Sequence, residues 1–195
     1  METNIKENIF FELVNEELNR DRIEKMPHRK VLDLAMIYRV LVDSNEAGGV
    51  HSYEITDTHL REWEMTEEEL YSIAMENTPR VFPEKALGIG DFFMEAGCGL
   101  PAYDGIPMII LTNKEKIYGA GALLYSDTIK SIAKTKDIYV IPSSIHEMLL
   151  IPDNVSVDFL KSIVREVNDT QVRDAEKLSY SVYKYSTEDG LQIAA

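Results

Sequence analysis

Three short apolar runs, residues 108–111 (MIIL), 138–141 (IYVI) and 148–151 (MLLI), constrain the fold of this chain more than any other feature. Each is too brief for a helix of ordinary length, yet long enough for a buried strand. The latter two stop at prolines, Pro142 and Pro152, which suits strand ends because proline cannot donate to a ladder. Strands and helices come in mixed order along the chain, without a steady strand–helix–strand rhythm. The expected fold is therefore α+β: a mostly antiparallel sheet packed with amphipathic helices. A length of 195 residues suits a single domain that buries a core without covalent staples.

The remaining elements follow from periodicity and turn chemistry. Residues 4–20 place Ile5, Ile9, Phe10, Leu13, Val14 and Leu18 at helical spacing, which predicts a helix within an N-terminal segment 1–25 that ends at Met26-Pro27. The run 31–42 is broken only by Asp33 and Arg39 and fits a buried strand or a buried helix. The turn cluster 44–49 and the β-branched segment 50–56 favour a long strand returning through a hairpin. Asp57 is placed to cap a short helix. Thr66 and Glu69 form a capping box in front of Leu70, Ile73 and Ala74, and Pro79 is expected to stop that helix. Residues 79–107 carry four of the seven prolines and five of the ten glycines, which reads as an irregular connection, with a short helix over 84–93 as the alternative. Further on, Ser126 and Ser156 are expected to cap helices, the second presenting Leu160, Ile163, Val164 and Val167 on one face. A final strand, 179–185, is expected to pair with 191–194 across Glu188-Asp189-Gly190.

The formal net charge is −14, and its distribution is uneven. Residues 46–95 hold twelve Asp/Glu against three Lys/Arg, whereas residues 114–136 hold five Lys against two acids. Such acidity argues against direct nucleic-acid binding, which needs clustered cations to neutralise phosphate. It fits either a solubilising helix face or a negative surface aimed at a basic protein partner. On the second reading Glu62, Glu64, Glu67, Glu68 and Glu69 are the candidate partner-binding residues. No apolar run approaches the roughly 20 residues that span a bilayer, the N-terminus shows no signal-type apolar region, and one cysteine makes no internal disulfide. The expectation is a cytoplasmic protein without membrane contact, with self-association left open.

Candidate chemistry is sparse. Ser143, Ser144, His146 and Glu147 lie together, and a hydrolase-like site would use a serine as nucleophile, His146 as base and Glu147 to orient it. Triad members usually come from separated segments, and no Gly-x-Ser-x-Gly elbow occurs. If the strand continued, Ser144 and His146 would share one face and Ser143 and Glu147 the other. The plainer reading is a turn whose hydroxyls serve the local backbone. Cys98 sits among glycines, but its neighbour Glu95 has the wrong sign to stabilise a thiolate. His51 and His59 are eight apart and His28 is isolated, so no metal site is expected. Gly119-Ala120-Gly121 lacks the rest of a phosphate-binding motif, and no cofactor is expected.

The ordered blocks PHRKVLDLAMIYRVLVD, HLREWEMTEEELYSIAMENTPRVFP, LTNKEKIYGAGALLY, IYVIPSSIHEMLLIP and REVNDTQV span roughly residues 25–185. Together they resemble the uncharacterised bacterial family catalogued as domain of unknown function 5688. The resemblance implies an α+β fold and an association with gut Gram-positive bacteria and their mobile elements. It also implies that members carry a further N-terminal region, of which this chain would be a shortened form, and it brings no established activity or catalytic residue. Two readings follow. One is a non-enzymatic, acidic protein-binding module of a mobile element, in its sharpest form an inhibitor of a CRISPR-type defence nuclease with a basic DNA groove. The alternative is a small enzyme built on the Ser143–Glu147 block, with Ser144, His146 and Cys98 as its candidates.

Overall fold

The computed structural model describes residues 2–44, 49–95, 97 and 107–194. A short helix, α1 (Glu2–Glu7), leads directly into a strand, β1 (Ile9–Asn15), so the helix expected over residues 4–20 is corrected from Ile9 onward. The whole of IFFELVN is buried. A strand covered on both faces shows no alternation, and its continuous apolar run imitates a helical stripe.

Next come α2 (Arg20–Ile23), β2 (His28–Val31), β3 (Leu34–Ser44) and β4 (Val50–Glu54). The long strand returning through a hairpin is thus present as β3 and β4. All pairings in this four-stranded sheet are antiparallel, with β1 on one side of β3 and β2 and β4 sharing the other. Thr56 occupies the cap position of α3 (Asp57–Glu62), one residue before the cap read from the sequence. Helix α4 (Glu67–Val81) begins with the expected capping box, the Glu69 amide donating to Thr66 Oγ1 at 3.3 Å and the Thr66 amide to Glu69 Oε2 at 2.8 Å. Pro79 does not stop it. The last turn is held by tertiary bonds: Asn77 Nδ2 donates to the Ile9 carbonyl at 3.0 Å, and Thr78 Oγ1 accepts from the Phe11 amide at 3.1 Å. Those contacts cover the outer edge of β1, which would otherwise present unpaired backbone groups.

Residues 79–107 are not irregular throughout. They contain β5 (Glu84–Gly88) and α5 (Ile89–Glu95), and β5 pairs antiparallel with β6 (Ile109–Asn113). The sequence EKALG carries little apolar signal because β5 is an edge strand with alternating exposure. After β6 a 3-10 stretch, Gly119–Leu124, precedes α6 (Thr128–Ala133), whose cap position is Asp127 rather than Ser126. The chain then forms β7 (Ile138–Ser144), β8 (Glu147–Pro152), α7 (Val157–Thr170), β9 (Tyr183–Ser186) and β10 (Gly190–Ile193). These give a six-stranded antiparallel sheet in the order β10-β9-β7-β8-β6-β5. Strand β7 continues past Pro142 because its register with β8 shifts between Ile141 and Ser144, an irregularity that needs no amide there.

Both sheets contribute to one core. Ile9, Phe11, Leu34, Met36 and Tyr38 from the smaller sheet belong to the same cluster as Leu111, Val140, Met148, Leu150 and Tyr183 from the larger one. Helix α7 covers part of the opposite face of the larger sheet through Leu160 and Val164 against Tyr139, Ile141 and Ile151. The sheets are also tied by charge and hydroxyls. Asp33, in the β2–β3 turn beside Leu32 at φ +57°, accepts hydrogen bonds from Ser179 at 2.5 Å, Ser181 at 2.9 Å and Tyr183. Burial and that bond to Asp33 push the Tyr183 phenol above its ordinary pKa.

Candidate functional site

The Ser143–Glu147 block is a tight hairpin. Ser144 pairs with Glu147, so the strand ends and Ile145-His146 forms the loop. Ser144 Oγ donates to Glu147 Oε1 at 2.9 Å and accepts the His146 amide at 3.1 Å. No hydrogen bond joins that hydroxyl to the imidazole. His146 Nδ1 instead accepts the Tyr118 amide at 3.3 Å, and its Nε2 faces Glu176 Oε1 at 3.8 Å. The loop backbone is equally committed. The His146 carbonyl accepts from Thr112 Oγ1 at 2.8 Å, the Ile145 carbonyl from the Ala120 amide at 3.2 Å, and the Ile145 amide donates to the Glu176 carbonyl at 3.0 Å. A side chain at Gly119 would meet Thr112 Oγ1 at 2.2 Å and the His146 carbonyl at 2.3 Å, which explains the glycine. Ser143 points elsewhere, into an apolar groove of about 420 Å³ under α7. Cys98 lies outside the described residues. The structure therefore brings Ser144 and Glu147 together but not Ser144 and the His146 ring.

The five candidate glutamates divide into two groups. Glu67 binds Arg29 through both oxygens, at 3.2 and 2.6 Å, and accepts the Tyr38 hydroxyl at 2.5 Å. Burial would raise the Glu67 pKa, but the bonds from Arg29 and Tyr38 hold it below the ordinary value. Glu68 Oε2 takes the same guanidinium at 2.6 Å, and Arg29 also lies 3.8 Å from the Tyr71 ring centroid. Glu69 is occupied by Thr66, which holds its carboxyl below the ordinary pKa. Glu62 and Glu64 are exposed and have no partner among the described residues.

Glu64 is also held in an unusual backbone conformation. The Met65 amide donates to the Leu60 carbonyl at 3.0 Å and the Glu64 amide to the Arg61 carbonyl at 3.4 Å, the paired bonds of a Schellman motif closing α3. Its left-handed position, normally glycine, is Glu64 at φ +51°. Buried Met65 joins the core beneath it, and half-buried Leu60 packs against that core. The result is a carboxylate projecting from a rigid corner.

Beside that corner lie three rings absent from the sequence-derived candidate list. Tyr53 on β4 is 5.7 Å from the His59 ring, and His59 stacks on Trp63 at 5.2 Å and 22°. His59 Nδ1 accepts the Thr56 amide at 3.0 Å, which fixes the orientation of the ring. The spacing of His59 and Trp63, four apart in a helical turn, was a readable signal of a shared face. Tyr53 carried no such signal.

A third cluster lies on the outer face of the smaller sheet, with Glu12 buried and Arg22 and Glu54 partly exposed. Arg39 Nη1 lies 3.2 Å from both Glu12 and Glu54, and Arg22 reaches the same Glu54 oxygen. Burial pushes the Glu12 carboxyl up to about 7 against the pull of Arg39 and Arg22. Among the described residues no three His, Cys, Asp or Glu side chains are grouped to hold a metal ion, and no helix is long and apolar enough to cross a membrane.

A model for a family of unknown function, DUF5688, matches residues 2–187, nearly the whole chain and further toward its start than the sequence blocks reach. No curated protein and no solved structure matches.

Proposed function

We propose that this protein, which belongs to the family of unknown function DUF5688, is a non-enzymatic module that binds a basic protein partner through the acidic rim at the α3–α4 corner. One observation carries the reading. Glu67, Glu68 and Glu69 are consumed by internal bonds, while Glu62 and Glu64 stand exposed and unpartnered on either side of Trp63. A carboxylate kept at a left-handed position where glycine fits better is costly for folding alone, by roughly 1 kcal/mol. The overall charge of −14 adds long-range attraction toward a cationic surface. The sharpest form of the reading is a mobile-element inhibitor, acting in the cytoplasm, of a CRISPR-type nuclease whose DNA groove supplies the positive charge. The hydrolase-like alternative has less support, since the Ser144 hydroxyl is engaged by Glu147 and the His146 amide.

The test is titration of the intact protein against such a nuclease at low and high salt, with DNA cleavage followed in parallel. Binding is expected to weaken as salt rises, and Glu62→Lys with Glu64→Lys is expected to weaken it by about tenfold or more. No binding at low salt, or binding indifferent to the two substitutions, overturns the reading.

A further inference from the structure

We propose that the shelf formed by Tyr53, His59 and Trp63 reads arginine in preference to lysine on the bound partner, an inference that rests on the acidic-rim reading and specifies what the rim recognises. Tyr53 contacts His59 and His59 contacts Trp63, and Tyr53, at 38% exposure, is the exposed member of the row. The Thr56 amide fixes the His59 ring, which stacks on Trp63, so the open ring surface is that of the exposed Tyr53 at the end of the row. A guanidinium is planar and weakly hydrated, so it stacks on such a surface while its fork reaches a carboxylate. An ammonium supplies charge without that geometry. Glu62 and Glu64 bracket Trp63 in the chain and supply the carboxylates.

The molecule contains a finished example of the same arrangement. Arg29 stacks 3.8 Å from the Tyr71 ring centroid while its Nη2 donates to Glu67 and Glu68, each at 2.6 Å. That clamp is complete because the chain provides its own arginine. At the rim the rings have two exposed glutamates beside Trp63 in the chain, and among the described residues no arginine stacks on these rings: Arg61, the nearest in sequence, turns to the Asp57 carbonyl and Thr58 Oγ1.

The experiment uses two blocked peptides, identical except for three arginines in one and three lysines in the other. Trp63 is the chain's sole tryptophan, so its fluorescence reports on this surface alone. The arginine peptide is expected to alter Trp63 emission and to bind about tenfold more tightly than the lysine peptide. Tyr53→Ala is expected to reduce the arginine peptide to the level of the lysine peptide, and Tyr53→Phe, which keeps the ring, to preserve the preference. Equal binding of the two peptides, binding of neither, or an arginine preference that survives Tyr53→Ala in a folded protein overturns the inference. Equal binding alongside salt-sensitive nuclease binding leaves the acidic rim standing and removes only its arginine selectivity. Loss of nuclease binding removes the rim reading itself.

Discussion

The hairpin at Ser144–Glu147 and the corner at Glu62–Glu64 both carry a histidine and glutamates within a few residues of one another in the chain, yet they use their polar atoms in opposite ways. At the hairpin the hydroxyl, the imidazole Nδ1 and the loop carbonyls all bond inward, to Glu147, Tyr118, Thr112 and Ala120. At the corner only His59 is tied down, and the glutamates beside Trp63 face solvent. Residue types that suggest chemistry are therefore a weaker guide than hydrogen-bonding capacity left unused. The first region fastens two parts of the larger sheet together, and the second offers groups to something outside.

The largest effect should come from breaking the fastening. Gly119→Ala would drive a methyl group against the His146 carbonyl and the Asn113 amide, both backbone, at 2.3 and 2.9 Å. Neither can step aside alone, so a loss of about 3–5 kcal/mol in urea unfolding is expected. Gly121→Ala first meets the Phe11 ring, at 2.9 Å, and should cost about 1–2 kcal/mol because a ring can tilt. Equal costs at the two glycines would mean that the hairpin is not rigidly docked.

A second prediction turns on a buried acid. Glu12 is 3% exposed, and its folded pKa of about 7 lies above the reference value of 4.5. Between those two values the folded protein keeps a proton that the unfolded chain has released. Stability from this group is therefore greatest at low pH, falls as pH rises through that window, and levels off above 7. The total is on the order of 3 kcal/mol. Glu12→Gln should remove this decline, so that its stability relative to the native chain rises between pH 4.5 and 7.5. Its absolute stability will also reflect what Arg39 loses. An unchanged slope in Glu12→Gln would show that the carboxylate stays charged throughout.

How much of this was legible from the sequence varied with the physics of each segment. The capping box at Thr66, the hairpin of β3 and β4 and the amphipathic face of α7 each rest on local signals, and they are present in the structure. Strand β1 imitates a helix in the sequence because it is buried on both sides, and β5 leaves little trace there because an exposed edge strand has little apolar pattern to show. Pro79 lies inside a helix that local rules would end before it, because Asn77 and Thr78 hold the last turn through partners 67 or more residues away in the chain. The same limit applies to the site. Spacing could not reveal that Glu67 and Glu68 would meet Arg29, nor that Tyr53 would lie beside His59.

Smaller effects separate the two regions further. Ser144→Ala removes an acceptor from the His146 amide and a donor from Glu147, and should cost about 1 kcal/mol. It should leave binding of a basic partner unchanged. A loss of binding or of any activity at wild-type stability would instead return the hairpin to consideration as a site.

The smallest expected change in stability is also the most discriminating. Glu64 occupies the glycine position of a Schellman motif at φ +51°, a conformation that costs an L-residue about 1–2 kcal/mol. Glu64→Gly relieves that strain but adds freedom to the unfolded chain worth roughly 0.5–1 kcal/mol, so a net gain of about 0.5 kcal/mol is expected. The same substitution deletes one of the two free carboxylates at the rim and should weaken binding of the arginine peptide. A variant that becomes more stable while binding less well is the signature of a residue kept for recognition at a cost to the fold. If stability falls instead, the strained corner has a structural purpose, and the contrast between a fastened hairpin and an open rim loses its sharpest support.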